Sequence, residues 1–216
     1  AITGAVFDLA GREADADRIT LSAFEAHLSA QNGRGSGYDV ATVAHGGLVL
    51  WRPARVAGGV GQREAVRLAW PGGLQTLAGY TGRSADTREL IARMEARTRR
   101  DPLQAARDLM VLGTAVGKLV DAFSHGELGG IRRELGRAHD ALVGWDDTLG
   151  LGVITPEVSE MLGLAHSCGA AAKVSGAGGG DSVLAFGTLD ELARVAEAWS
   201  AAGFTPLELS RAEQGF

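Results

Sequence analysis

Apolar residues in the first part of the chain recur at helical spacing, in short runs broken by glycine. Ile2, Val6, Phe7 and Leu9 mark the apolar side of a helix over residues 1–10, which Gly11 and Arg12 end. Leu21, Phe24 and Leu28 predict a second helix over 19–31, with Asp15 or Asp17 as its cap. A glycine-rich break follows, then a short helix over 38–45 and a strand at Leu48–Trp51. Residues 53–64 read as loop, and strands at 65–70 and 74–80 flank the turn signal Pro71-Gly72-Gly73. Beyond them the 3.6-residue period takes over. It predicts helices over 86–100, 102–125, 128–142 and 156–167, with Ser84 or Asp86, Pro102 and Thr155-Pro156 as start signals and Gly126 as a stop. Two short strands, at 170–174 and 182–186, enclose a glycine loop. A helix over 189–202 and a last strand at 206–210 complete the pattern.

Strands and helices in this order, with the helices clustered, argue an α+β fold in which an antiparallel sheet is backed by helices. The composition break between 52 and 64 divides the chain into domains at 1–60 and 61–216. The totals narrow the function classes. Hydrophobic residues make up 45% and charged residues 22%, ordinary for a folded globular chain. The net charge is −5 and no basic run stands out, which argues against nucleic acid as a partner. No apolar run reaches membrane-spanning length, so no membrane partner is expected. The single Cys168 forms no intramolecular disulfide and fits a reducing cytoplasm; it reads as a small buried hydrophobe. The five histidines are scattered, and no metal site built of protein ligands alone is expected.

Two stretches carry chemistry. In the first, Ser175-Gly176-Ala177-Gly178-Gly179-Gly180-Asp181, four glycines within five positions let successive N–H groups curl into an anion-binding nest. A strand on each side excludes the Rossmann fingerprint, which needs a helix after the loop and a glycine where Asp181 stands. No Gly-Lys-Ser/Thr follows, which excludes a Walker A loop. A plain glycine turn with no ligand is the alternative. In the second, Gly33-Arg34-Gly35-Ser36-Gly37-Tyr38-Asp39, an Asp stands at a loop-to-helix junction where free N–H groups favour its ionised form. It reads equally as a helix cap. Arg34, Arg83 and Lys173 are either anion contacts or ordinary solvated side chains.

The glycine loop resembles the third motif of the GHMP kinase superfamily, in the wording of its phosphomevalonate kinase branch. Ser36-Gly37-Tyr38-Asp39 with His45-Gly46-Gly47 resembles the S-G-x-D…G-G segment of mevalonate and phosphomevalonate kinases. Glu25-Ala26-His27 with Gln31, Tyr80-Thr81-Gly82-Arg83-Ser84-Ala85-Asp86-Thr87, and Leu149–Leu164 resemble further stretches of the branch, all in family order. The resemblance implies a two-lobed fold, of which residues 1–60 would be a remnant of the N-terminal domain and 61–216 the C-terminal domain. The family's P-x-x-x-G-L-G-S-S phosphate loop and its first strands are not found in these residues, so the chain reads as one entered in mid-helix.

The implied activity is ATP- and Mg²⁺-dependent phosphorylation of 5-phosphomevalonate to 5-diphosphomevalonate in the mevalonate pathway. The implied roles are Asp39 as the catalytic group, Arg34, Ser36, Gly37 and Tyr38 as substrate contacts, and residues 175–181 as the ATP-phosphate contacts. Asp39 and the glycine loop are expected to share one site. The partner expected is a phosphorylated small molecule, with self-association through the surface a missing lobe would cover. A mevalonate or sugar kinase of the same fold, and a non-catalytic binding remnant, are the alternatives.

Overall fold

The computed structural model describes residues 2–11, 15–30, 35–52, 55–56, 59–60, 64–207 and 209–215. The chain forms two compact units: residues up to Trp70 together with the tail from Ser210, and Pro71–Leu209.

The first unit begins with three helices, α1 (Ile2–Leu9), α2 (Ala16–Ala30) and α3 (Tyr38–His45). Asp15 starts α2 by accepting from the Arg18 N–H at 2.8 Å. Phe24 and Ile19 of α2 and Ala41 and Ala44 of α3 are buried. The expected apolar side of α1 is covered only in part: Phe7 is half-buried, while Val6 and Leu9 are exposed. Strand β1 (Leu48–Arg52) pairs antiparallel with β4 (Glu64–Leu68), Leu48 facing Leu68 and Arg52 facing Glu64. Between them, β2 (Arg55–Val56) and β3 (Gly59–Val60) form a two-residue ladder inside the stretch expected to be loop. The pattern is too short there to show a period. The tail returns to this unit. Gly47 donates its N–H to the Ala212 carbonyl at 2.7 Å, Arg67 donates to the Glu213 carbonyl at 2.6 Å, and the Arg211 guanidinium lies 4.6 Å from the Trp70 ring centre.

The second unit carries a four-stranded antiparallel sheet in the order β6-β7-β5-β8, formed by β5 (Gln75–Tyr80), β6 (Ala171–Ser175), β7 (Ser182–Gly187) and β8 (Thr205–Leu207). The helices are α4 (Thr87–Arg100), α5 (Pro102–His125), α6 (Leu128–Leu149), α7 (Pro156–Ser167) and α8 (Leu189–Ala201). The antiparallel α+β architecture is the one the pattern predicts. The start signals hold too: Asp86 and Thr155 accept from backbone N–H groups at the head of their helices, Pro102 opens α5 behind an Asp101 cap that the pattern did not single out, and left-handed Gly126 closes α5. Helix α6 outruns its predicted end at 142. Trp145 keeps packing on the core beyond that point, and left-handed Gly150 is the actual stop.

The core lies between the sheet and α7 and α8. Val158, Met161, Val183, Val195 and Trp199 are fully buried, and the Trp199 indole donates to the Met161 carbonyl at 2.9 Å. Gly79 of β5 faces them; a Cβ there would come within 2.5 Å of the Trp199 ring and 2.6 Å of Met161 Cε.

Thr188 and Glu191 form a capping box at the head of α8, and Arg132 of α6 holds the Glu191 carboxylate through two N–H donors. The Arg132 guanidinium, helped by the Thr188 backbone and side chain, pulls the Glu191 pKa down to about 2. A depressed carboxylate pKa contributes stability that is complete above the unfolded value and is lost as pH falls through the folded one. The urea midpoint is therefore expected to drop between about pH 4.5 and pH 2. Glu191→Gln should show a flatter profile over that window; an unchanged slope would show that the pair contributes nothing.

Candidate functional site

In the second unit, β6 and β7 are joined by the glycine loop, and four of its glycines, Gly176, Gly178, Gly179 and Gly180, have positive φ. The loop rests on the segment between α6 and α7. Gly179 donates its N–H to the Val153 carbonyl at 2.8 Å. A Cβ at Gly178 would lie 2.4 Å from Val153 Cγ1, and one at Gly179 would lie 2.9 Å from Leu90 Cδ1. Gly178 thus requires glycine for packing as well as for φ, and Gly179 for φ. Gly178 and Gly180 are buried, whereas Gly176, Ala177 and Asp181 are exposed and form the open side of the loop.

Two residues that the motifs did not single out hold this loop in place. The Asp146 carboxylate, buried at the end of α6, accepts from the N–H groups of Gly152, Val153 and Ile154 at 2.8, 3.0 and 2.8 Å. It fixes the Val153 carbonyl that Gly179 uses. On the other side, the buried Thr81 hydroxyl donates to the Gly180 carbonyl, and the Thr81 N–H donates to the Asp181 carbonyl at 3.1 Å. Thr81 lies in a stretch quoted above for its resemblance; Asp146, one of two adjacent aspartates late in a helix, carries no sequence signal.

Arg83 is exposed and sits 3.1 Å from Glu157. The backbone N–H at the head of α7, the Thr155 hydroxyl and the Arg83 guanidinium hold the Glu157 carboxyl below the usual carboxylate range. Lys173 on β6 is half-buried and donates to the Val174 carbonyl at 2.6 Å; burial lowers its pKa. Arg83 is thus a surface side chain in an ion pair, whereas Lys173 is not a plain solvated one. Cys168 is half-buried and packs against the core.

In the first unit, the S-G-Y-D segment is held by aromatic rings. The Trp51 indole donates to the Ser36 carbonyl at 2.7 Å. Left-handed Gly37 lies so close to Phe24 that a Cβ would fall 2.1 Å from its ring, and Phe24 packs edge-on against Trp51. Gly37, not Asp39, caps α3. Asp39 stands two residues further on, in the first turn and exposed, so the capping reading of Asp39 does not hold. Tyr38 is half exposed beside it. Arg34, a predicted substrate contact, lies outside the described residues. The first unit thus presents a carboxylate on a rigid helix start, and the second an exposed loop edge with a neighbouring carboxylate, Asp181.

Comparison with known proteins adds identity to this geometry. The family model "GHMP kinases C terminal" matches residues 119–204. A phosphomevalonate kinase of Streptomyces sp. (strain CL190) is 32% identical over 201 residues, covering 84% of this chain and 54% of that protein. A mevalonate kinase of Pyrococcus furiosus is 32% identical over 219 residues, covering 98% of this chain and 60% of its own length. The chain therefore spans between half and two thirds of the relatives it matches. Among solved structures, Streptococcus pneumoniae phosphomevalonate kinase in complex with phosphomevalonate and AMPPNP superimposes with a TM-score of 0.78. That match is at 21% identity and covers 96% of this chain and 65% of that one, a likeness of fold.

Proposed function

Because this chain belongs to the GHMP kinases, we propose that it carries the acceptor-side carboxylate and the glycine hairpin of an ATP-dependent phosphomevalonate kinase. The supporting observation is the 32% identity to the Streptomyces phosphomevalonate kinase over 84% of the chain. The reaction would transfer the γ-phosphoryl group of ATP to 5-phosphomevalonate, giving ADP and 5-diphosphomevalonate. Asp39 would orient the acceptor, with Ser36, Gly37 and Tyr38 shaping its pocket and Arg34 meeting its anionic end. Ser175 to Asp181 would back the nucleotide phosphates with N–H groups. Phosphoryl transfer relies on such positioning and on neutralising charge. The exposed Asp181 carboxylate beside the open loop edge fits a nucleotide-borne Mg²⁺, which supplies charge neutralisation when bound. In this reading the reaction takes place in the cytoplasm.

The acceptor decides what Asp39 does. A phosphate monoester has a second pKa of about 6 and is mostly deprotonated at neutral pH, so it needs no strong base. The 32% identity to the Pyrococcus furiosus mevalonate kinase favours a second reading in which the acceptor is the mevalonate hydroxyl. In that reading Asp39 takes the proton.

ADP release, measured with phosphomevalonate, mevalonate and a panel of sugars, tests both readings. These residues lack the G-L-G-S-S phosphate loop, and losing one preorganised donor costs roughly 10²–10³ in rate. The chain alone is therefore expected to be at least that much slower than a version extended upstream to include such a loop. In the extended protein Asp39→Ala should lower kcat with little change in ATP binding. Turnover of mevalonate but not phosphomevalonate would transfer the proposal to the second reading. Robust turnover by the short chain would overturn the role given to the phosphate loop.

A further inference from the structure

Helix α5 is 24 residues long, and much of its surface faces no other element of its unit. Leu103, Leu109, Met110, Val111 and Val116 are between 50% and 74% exposed. Met110 and Val111, with Ala115 and Ala141, floor a groove of about 570 Å³ between α5 and α6, rimmed by Arg107, Lys118 and Arg137. Gly113 and Gly117 lie on the exposed side, and a Cβ built on either meets nothing within 4 Å. Glycine is unfavourable inside an exposed helix relative to alanine, and packing within the unit does not account for either one. Both suit the close approach of a second helix.

The charges select which helix that is. Leu103, Arg107, Met110, Thr114, Gly117 and Asp121 follow one another at alternating spacings of four and three, the pattern of a helix–helix seam. All six are exposed. In a parallel self-pairing, Arg107 and Lys118 would each meet their own copy. In an antiparallel one about Thr114, each Arg107 meets an aspartate and each Met110 lies under the stem of a lysine. Isologous pairing about a two-fold axis is the commonest route to a dimer.

We propose that this face is a homodimer interface in which α5 lies antiparallel on α5 of a second copy, with Arg107 opposite Asp121 of the partner subunit. The proposal is independent of the kinase reading. Sedimentation equilibrium of the chain should show a dimer at tens of micromolar. Arg107→Asp and Asp121→Arg should each raise the dimer Kd by about tenfold or more, and the double swap should return it close to the starting value. Thr114→Asp puts like charges face to face on the axis and should dissociate the dimer. All these positions are exposed, and circular dichroism will confirm that each variant is folded. A monomer at every concentration would overturn the proposal. So would a dimer indifferent to both single swaps, as expected if association runs through the apolar side of α1. Single-swap losses that the double swap does not restore would show that the two charges do not face each other, and would overturn it as well.

Discussion

Asp146→Ala is expected to destabilise the second unit by about 3–5 kcal/mol and to loosen the glycine hairpin wherever the unit remains folded. The Asp146 carboxylate is 7% exposed and is the acceptor for three successive N–H groups, those of Gly152, Val153 and Ile154. Alanine leaves all three donors without their acceptor, that of Val153 buried and the other two partly so. An unsatisfied donor costs about 1–3 kcal/mol, and partial relaxation keeps the total below the simple sum. Asparagine retains one acceptor oxygen but turns the other into a donor facing N–H groups, so Asp146→Asn should fall between wild type and alanine. The consequence for the site comes through Val153, whose carbonyl takes the Gly179 N–H. Amide exchange at Gly179 should therefore accelerate more than the global loss of stability explains. Urea melts measure the first effect and residue-resolved hydrogen exchange the second. Unchanged exchange at Gly179 would show that the loop is held independently of Asp146.

A loss of similar size is expected for Trp199→Ala, about 3–5 kcal/mol, since an aromatic side chain of zero exposure leaves a large cavity. The indole also satisfies the Met161 carbonyl, so its removal orphans a buried acceptor. The more discriminating measurement is its coupling to Gly79. Gly79→Ala alone should be destabilising by about 1–3 kcal/mol, because the new methyl would meet the Trp199 ring and Met161 Cε. Once Trp199 is alanine, that methyl enters space already vacated. The two changes should then fall short of additivity by a coupling of order 0.5–3 kcal/mol in a double-mutant cycle. Strict additivity would mean that β5 shifts to relieve the contact.

Legibility in the sequence tracked how local each cause was. The caps at Asp86 and Thr155, the opening proline Pro102 and the stop at Gly126 act over three or four residues, and the structure places them where the pattern did; the Asp101 cap before Pro102 was not read. The glycine loop was legible because apolar strands bracket it. The end of α6 was not, since what carries the helix past Gly144 is the packing of Trp145 on a core that only the folded chain assembles. The ladder at 55–60 was missed because two residues per strand give no alternation to detect. In the candidate site, Asp39 was visible as chemistry, and its alternative reading as a cap fails because left-handed Gly37 takes that role. Thr81 and Asp146 act through backbone groups that only the folded chain brings to them, and no spacing along the sequence encodes those partners.

The returning tail also bears on the order in which the units form during synthesis. Domains assemble as their residues leave the ribosome, the N-terminal ones usually first. Here the carbonyls of Ala212 and Glu213, which satisfy Gly47 and Arg67, emerge after every residue of the second unit. The later-encoded unit therefore completes its contacts before the earlier one. While residues 71–209 fold, the Gly47 N–H and the Arg67 guanidinium still lack these two acceptors, so the first unit is the last to complete its hydrogen bonds.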